Sequence, residues 1–307
     1  MICRIRTTAR LAALGLALLC GNAVIHAAPP AGDLVQDLSS HGITFPSGET
    51  VALPTAQMPD DLDGAAQQEA LRRAAGKYPL DRFMRNAIVS PFDLEMNSIE
   101  DASGARHGQR LDFCFVAYGT LEAIIRQDLF GALAGAQAAS GNDSDHTTAR
   151  ALTAAELQAR DLAPEKTAER EESYLLVNVP ILNRVQLRGV GFAVREKRPE
   201  SIVARIKLDE RFNKDQEFSN TWSPLLRDKS GKLTEGAAKP YSGLGGYMKI
   251  TQLHQPAGAL FVECHIAFAE PEAWFDGKNL LRSKLPLVVQ DNVRSFRRKL
   301  AEDSSTR

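Results

Sequence analysis

The two side chains best spaced for chemistry in this 307-residue chain are Glu263 and His265. They stand two apart in Ala259-Leu-Phe-Val-Glu-Cys-His-Ile-Ala-Phe268, a run of strand composition. Both therefore project from one face, while Leu260, Val262, Cys264, Ile266 and Phe268 take the other. A carboxylate beside an imidazole offers two metal ligands or an acid–base pair. Either use needs further converging groups that the sequence does not place, so the favoured reading is a polar strand face turned to water. The other histidines beyond residue 27, His41, His107, His146 and His254, form no helical i, i+3 or i, i+4 pair. No metal site and no cofactor is expected, and no catalytic residue is assigned.

Nucleophilic catalysis of the Ser-His-Asp kind needs a serine on a tight turn, and no G-x-S-x-G occurs. Ser242-Gly-Leu-Gly-Gly246 lacks the Lys and Ser/Thr of a phosphate loop and precedes a strand pattern, so it reads as a hinge or turn able to gate a cavity. Three residues are candidates for contacting a ligand. Trp222, flanked by Asn220-Thr221 and Ser223-Pro224, falls in a loop pattern where a large aromatic could cap a pocket or simply cover the edge of the core. Tyr247 and His254 bracket the strand after the Gly-rich turn and could offer polar tips to a ligand.

The compartment follows from the N-terminus. Arg4, Arg6 and Arg10 precede the apolar run Leu11–Cys20, and Ile25-His26-Ala27 offers a small residue before a cut, so residues 1–27 read as an export signal cleaved after Ala27. A periplasmic or secreted product is expected. Lipidation at Cys20 is the lesser alternative, because Ala17-Leu18-Leu19 puts a bulky Leu where a small residue is wanted. Removing the segment leaves 34 basic against 38 acidic side chains, a formal charge of −4, which disfavours nucleic acid as a general partner. No later run is apolar and long enough to cross a bilayer, so a soluble product is expected. Its oligomeric state stays open. In an oxidising compartment Cys114 and Cys264 read as a disulfide tying the early half to the late half, with two separate buried thiols as the alternative.

The elements that must position these residues can be placed in order. Pro-rich 28–58 reads as a flexible tether with one short strand around Ile43–Leu53, ahead of one main domain at 59–307. Asp63–Ala75 is a helix capped by Asp63 and stopped by Gly76 and Pro79. Phe83–Ile99 is extended with a bend at Ser90-Pro91, and 101–108 turns into the Cys114 strand. Thr120 caps a helix to Leu133 with an apolar face of Leu121, Ile124, Ile125, Leu129 and Leu133. Residues 134–172 are an inserted linker holding one capping box, Thr153-Ala-Ala-Glu156.

Strands follow at Ser173–Val179, Val185–Arg195, Ser201–Leu208, Tyr247–His254 and Ala259–Phe268. Their short connections argue for an antiparallel sheet, with Gly189 and Gly191 marking a bulge or sharp bend. A helix from Asn279 to Ala301 closes the chain, started or kinked at Pro286. Leu281, Leu285, Val288, Val289, Val293, Phe296 and Leu300 form its buried stripe. Arg282, Lys284, Arg294, Arg297, Arg298 and Lys299 take the remaining faces, where they complement the helix dipole or face an anionic membrane.

The hairpin Phe83–Tyr118, the helix Thr120–Leu133, the strands Ser173–Phe268 and the helix Asn279–Ala301 together resemble the START-like, helix-grip superfamily in pattern. The resemblance implies an α+β fold in which a curved antiparallel sheet grips the long C-terminal helix around an apolar cavity. It implies a hydrophobic small molecule or lipid as partner, and it brings no motif that assigns ligand residues. An exported binding protein is thus the leading expectation. The alternatives are a hydrolase using Glu263 and His265, and a structural envelope protein recruiting partners through its tether and final helix.

Overall fold

A computed structural model describes residues 38–126, 148–229, 231–275 and 280–305. The chain enters through a minimal hairpin, β1 (Ile43–Thr44) and β2 (Thr50–Val51). Helix α1 (Gly64–Ala74) starts where Asp63 accepts a hydrogen bond from the Ala66 amide at 2.8 Å, as a capping carboxylate should. It stops at Gly76, whose φ of +56° a side chain rarely adopts and where an added Cβ would run into the Asp93 carboxylate. The short α2 (Leu80–Phe83) follows, then strands β3 (Asp93–Glu100) and β4 (Arg106–Tyr118) and helix α3 (Leu121–Arg126). Beyond it come β5 (Thr148–Ala151), α4 (Ala154–Gln158), β6 (Arg170–Ile181), β7 (Val185–Lys197) and β8 (Ser201–Leu208). Strands β9 (Thr221–Arg227), β10 (Leu233–Glu235), β11 (Lys239–Pro240), β12 (Leu244–Gln252) and β13 (Ala259–Ala269) lead to helix α5 (Leu280–Ser305).

Every strand pairing among the described residues is antiparallel. The main sheet runs β10-β9-β7-β8-β12-β13-β4-β3, with β6 also on β7, β5 on β6 and β11 on β9. Two faces follow from the period of two along β4 and β13. Phe113, Phe115, Leu260, Val262 and Cys264 meet Ile124 of α3 and Val289, Val293, Phe296 and Leu300 of α5. Phe115 meets Phe296 edge-on, with ring centroids 5.5 Å apart. Each such side chain contributes about 1.5–3 kcal/mol by leaving water. This is the α+β arrangement expected, an antiparallel sheet packed on a long C-terminal helix, with side chains of sheet and α5 in direct contact.

The opposite face is covered by the N-terminal part of the chain. Met58 and Leu71 pack with Cys114, Val116 and Phe261. Leu38, Ile43, Phe45 and Leu53 pack with Tyr247, Trp222 and Trp274. Residues 38–58, expected as a flexible tether, therefore belong to the core.

Other expectations need correction. Cys114 pairs in register with Glu263, and Cys264 with Phe113, so the two cysteines are offset by one position on neighbouring strands and their side chains leave opposite faces of the sheet. Both are free buried thiols, not a disulfide. Trp222 lies in β9, not in a loop. Gly189 and Gly191 sit in unbroken register opposite Val177 and Leu175, without a bulge. A Cβ on either would strike Asn220 or Ile206, at the point where β7 exchanges β9 for β8 as its partner. Of the helix expected to Leu133, residues 121–126 are observed, and Leu129 and Leu133 lie outside the described residues. The supposed linker contains β5, paired with β6, and the Thr153–Glu156 capping box is formed.

Candidate functional site

Glu263 and His265 do share a strand face, but that face is sealed: they are 0% and 1% exposed. The register that places them also aligns their partners. Asp112, His265 and Tyr247 form one cross-strand row over β4, β13 and β12, and Glu263 and Lys249 lie in the next. His265 Nδ1 lies 2.7 Å from Asp112 Oδ1, and its ring lies tilted under Tyr247 with centroids 4.8 Å apart. Arg110 Nε donates to the other Asp112 oxygen at 2.8 Å. Burial works against a charged imidazole, but Asp112 and Glu263 outweigh it and hold the His265 pKa above its ordinary value. Burial likewise works against the Asp112 carboxylate, and His265 and Arg110 outweigh it, leaving that pKa lowered.

This charged row fastens a strap, residues 54–60, across the sheet. The Gln57 amide donates to Glu263 Oε2 at 2.6 Å and the Tyr247 hydroxyl to the Pro54 carbonyl at 2.7 Å. Lys249 Nζ donates to the Met58 carbonyl at 2.6 Å and pairs with Asp60 at 2.9 Å. Asp60 also accepts from Ser201 and Arg198. His265 Nε2, 3.7 Å from Glu263 Oε2, is buried without a hydrogen-bond partner. An Asp–His pair is thus present, but it is buried on the sheet face that the strap crosses. The strap residues carry no helical or alternating pattern, which is why the sequence reads them as a tether and leaves the polar face open to water.

One accessible concavity lies where β4 begins and β13 ends. It measures about 560 Å³. Pro46, Ala269, Pro271 and Phe275 give it apolar walls, and Arg106 and Glu270 its charged floor. Glu270, 4% exposed, accepts from Arg106 Nη2 at 3.0 Å and Gln109 Nε2 at 2.9 Å, so its charge is compensated in place. The Phe275 wall is backed by Trp274, 6.1 Å away centroid to centroid, which in turn meets Trp222 at 6.2 Å and stacks on Tyr241 at 5.5 Å.

None of Trp222, Tyr247 and His254 lines this hollow. Trp222 and Tyr247 share one buried cluster, and Tyr247 spends its hydroxyl on the strap. His254 stands seven residues beyond Tyr247, about 20 Å along an extended chain. Its amide donates to Gln67 Oε1 and its ring lies 3.3 Å from Glu200. The structure therefore does not bring the three together. Arg106 and Glu270, the charged floor, were missed because each sits at a strand end among ordinary surface charges. Among the described residues no group of three or more His, Cys, Asp or Glu is placed to hold a metal.

No family model matches the chain, and no curated protein matches it. Among solved structures it is similar to the human StarD13 (DLC2) lipid transfer and protein localization domain, at 9% identity over 78% of this chain and 98% of that one, with a TM-score of 0.37.

Proposed function

We propose that this chain is an exported binding protein that holds a small amphipathic molecule, with the apolar part against Pro46, Ala269, Pro271 and Phe275 and the polar end at Arg106. The supporting observation is the hollow of about 560 Å³. Small-molecule sites run from roughly 300 to 1,000 Å³, mostly apolar with a few fixed polar groups. The Arg106–Glu270–Gln109 cluster supplies such groups already paired, so a ligand with a hydroxyl, ester or amide end can bond there without a bare charge being buried. The seat differs from the one the sequence pattern implies: it is where β4 begins and β13 ends, not between α5 and the sheet.

Export rests on the charge and apolar pattern of residues 1–27. A mature N-terminus at Ala28, read by sequencing of the protein from its native cells, is the expected result. A product that keeps Met1 and its arginines would remove that part of the reading.

Binding is tested by native mass spectrometry of the gently purified protein. Ala105 lines the hollow from an exposed turn, so Ala105→Phe narrows it without disturbing the core. Wild type is expected to carry a non-covalent small-molecule adduct and the variant to lose it. An empty wild type, or an adduct retained equally by Ala105→Phe, contradicts the proposal.

A further inference from the structure

We infer that a second hollow, beside the C-terminal half of α5, is an oxyanion site formed by Arg85 and Arg297. The space is about 240 Å³, bounded by Arg85, Asn86, Ile88, Tyr118, Arg297 and Ala301 among others. Arg297 was expected on the solvent flank of the helix, yet it is 6% exposed. Its Nε donates to the Val116 carbonyl at 2.9 Å, Nη1 to Ser90 at 2.5 Å and Ile88 at 3.3 Å, and Nη2 to Pro91 at 3.0 Å. Its guanidinium carbon also lies 5.3 Å from the centre of the Phe115 ring.

These contacts fix the fork in place but supply dipoles, not a counter-charge. No carboxylate lines the hollow. A buried cation without an anionic partner is costly to keep, and here burial alone pushes its pKa down to about 10. One Nη2 hydrogen remains after the four carbonyls are served. At the rim, Arg85 is exposed, and among the described residues its guanidinium has no hydrogen-bond or ion-pair partner. The Tyr118 hydroxyl is engaged by the Met84 carbonyl and does not compete. Two guanidiniums facing one small space, the inner one locked, suit a phosphate, sulfate or carboxylate group.

The oxyanion belongs either to a free small molecule or to a lipid headgroup, and Ile88 and Val89, 37% and 73% exposed, stand where an acyl surface would meet the rim. The test separates the sources. Inorganic phosphate is titrated calorimetrically into wild type and Arg85→Gln, and both are sedimented with phosphatidylcholine vesicles with and without phosphatidylglycerol. Saturable phosphate binding that weakens by ~10-fold or more in Arg85→Gln identifies a site for free anions. Retention on phosphatidylglycerol vesicles alone, lost in Arg85→Gln, identifies the headgroup. Wild type that binds neither, or an Arg85→Gln protein that binds as wild type does, overturns the inference. Because Arg85 is exposed, the variant should melt with wild type when no anion is present. Ala105→Phe should keep phosphate binding, which separates this site from the amphipathic one.

Discussion

At the level of single residues, the buried Asp112–His265 contact makes stability depend on pH in two opposite ways. Folding favours the protonated imidazole, so the contribution of His265 is complete below its unfolded value of 6.5 and is lost as pH rises through the raised folded value. Asp112 is favoured as the carboxylate, so its contribution is present above 3.8 and is lost as acid takes the pH down through the lowered value. Melting temperature should therefore peak between these limits and fall on both sides. In Asp112→Ala the protein should lose about 3–5 kcal/mol, because His265 is left in the interior without its partner. A flat profile in wild type, or a variant as stable as wild type, would argue that the pair is neutral. The cysteines give a second expectation. Cys114 and Cys264 are buried, and burial pushes both thiols up. In peptide-level alkylation both should resist labelling while folded and label fully, without reductant, in denaturant. A Cys114–Cys264 peptide pair would reverse the assignment.

At the level of elements, the strap 54–60 is held more by polar bonds than by apolar burial, so it should open before the sheet does. Lys249→Met removes the bond to the Met58 carbonyl and the ion pair to Asp60 while keeping the aliphatic stem. Loss of a bond from a charged group costs about 1.5–3 kcal/mol. Hydrogen exchange should show faster exchange at Gln57 and Met58 in this variant, with β4 and β13 still protected. Equal protection of strap and strands would show that the apolar contacts of Met58 suffice. The same elements show what the sequence could disclose. Strands β8, β12 and β13 and helices α1 and α5 are legible because composition and period are local properties. Asp63 and the Thr153–Glu156 box even mark their helix starts to the residue. Register is not local: nothing in the runs around Cys114 and Cys264 discloses that the strands pair one position out of step. The N-terminal segment 38–58 is illegible for a related reason, since Leu38, Ile43, Phe45, Leu53 and Met58 anchor singly, without a repeat. Arg297 reads as a surface charge because its acceptors, the carbonyls of Ile88, Ser90, Pro91 and Val116, lie about two hundred residues away in the chain.

At the level of the whole molecule, α5 and the sheet meet side chain to side chain, where the sequence pattern implies an apolar cavity. The hollow of about 560 Å³ lies where β4 begins and β13 ends. Among the described residues no helix is long and apolar enough to cross a membrane. The chain has two tryptophans, Trp222 and Trp274, and both belong to the aromatic group behind the Phe275 wall. Their emission reads the hollow through the Phe275 ring that Trp274 meets. The most direct measurement is a tryptophan fluorescence titration with a medium-chain monoacylglycerol below its aggregation threshold. A saturable change in wild type that disappears in Ala105→Phe is predicted; an unresponsive wild type, or an unaltered titration in Ala105→Phe, would contradict ligand binding at this hollow.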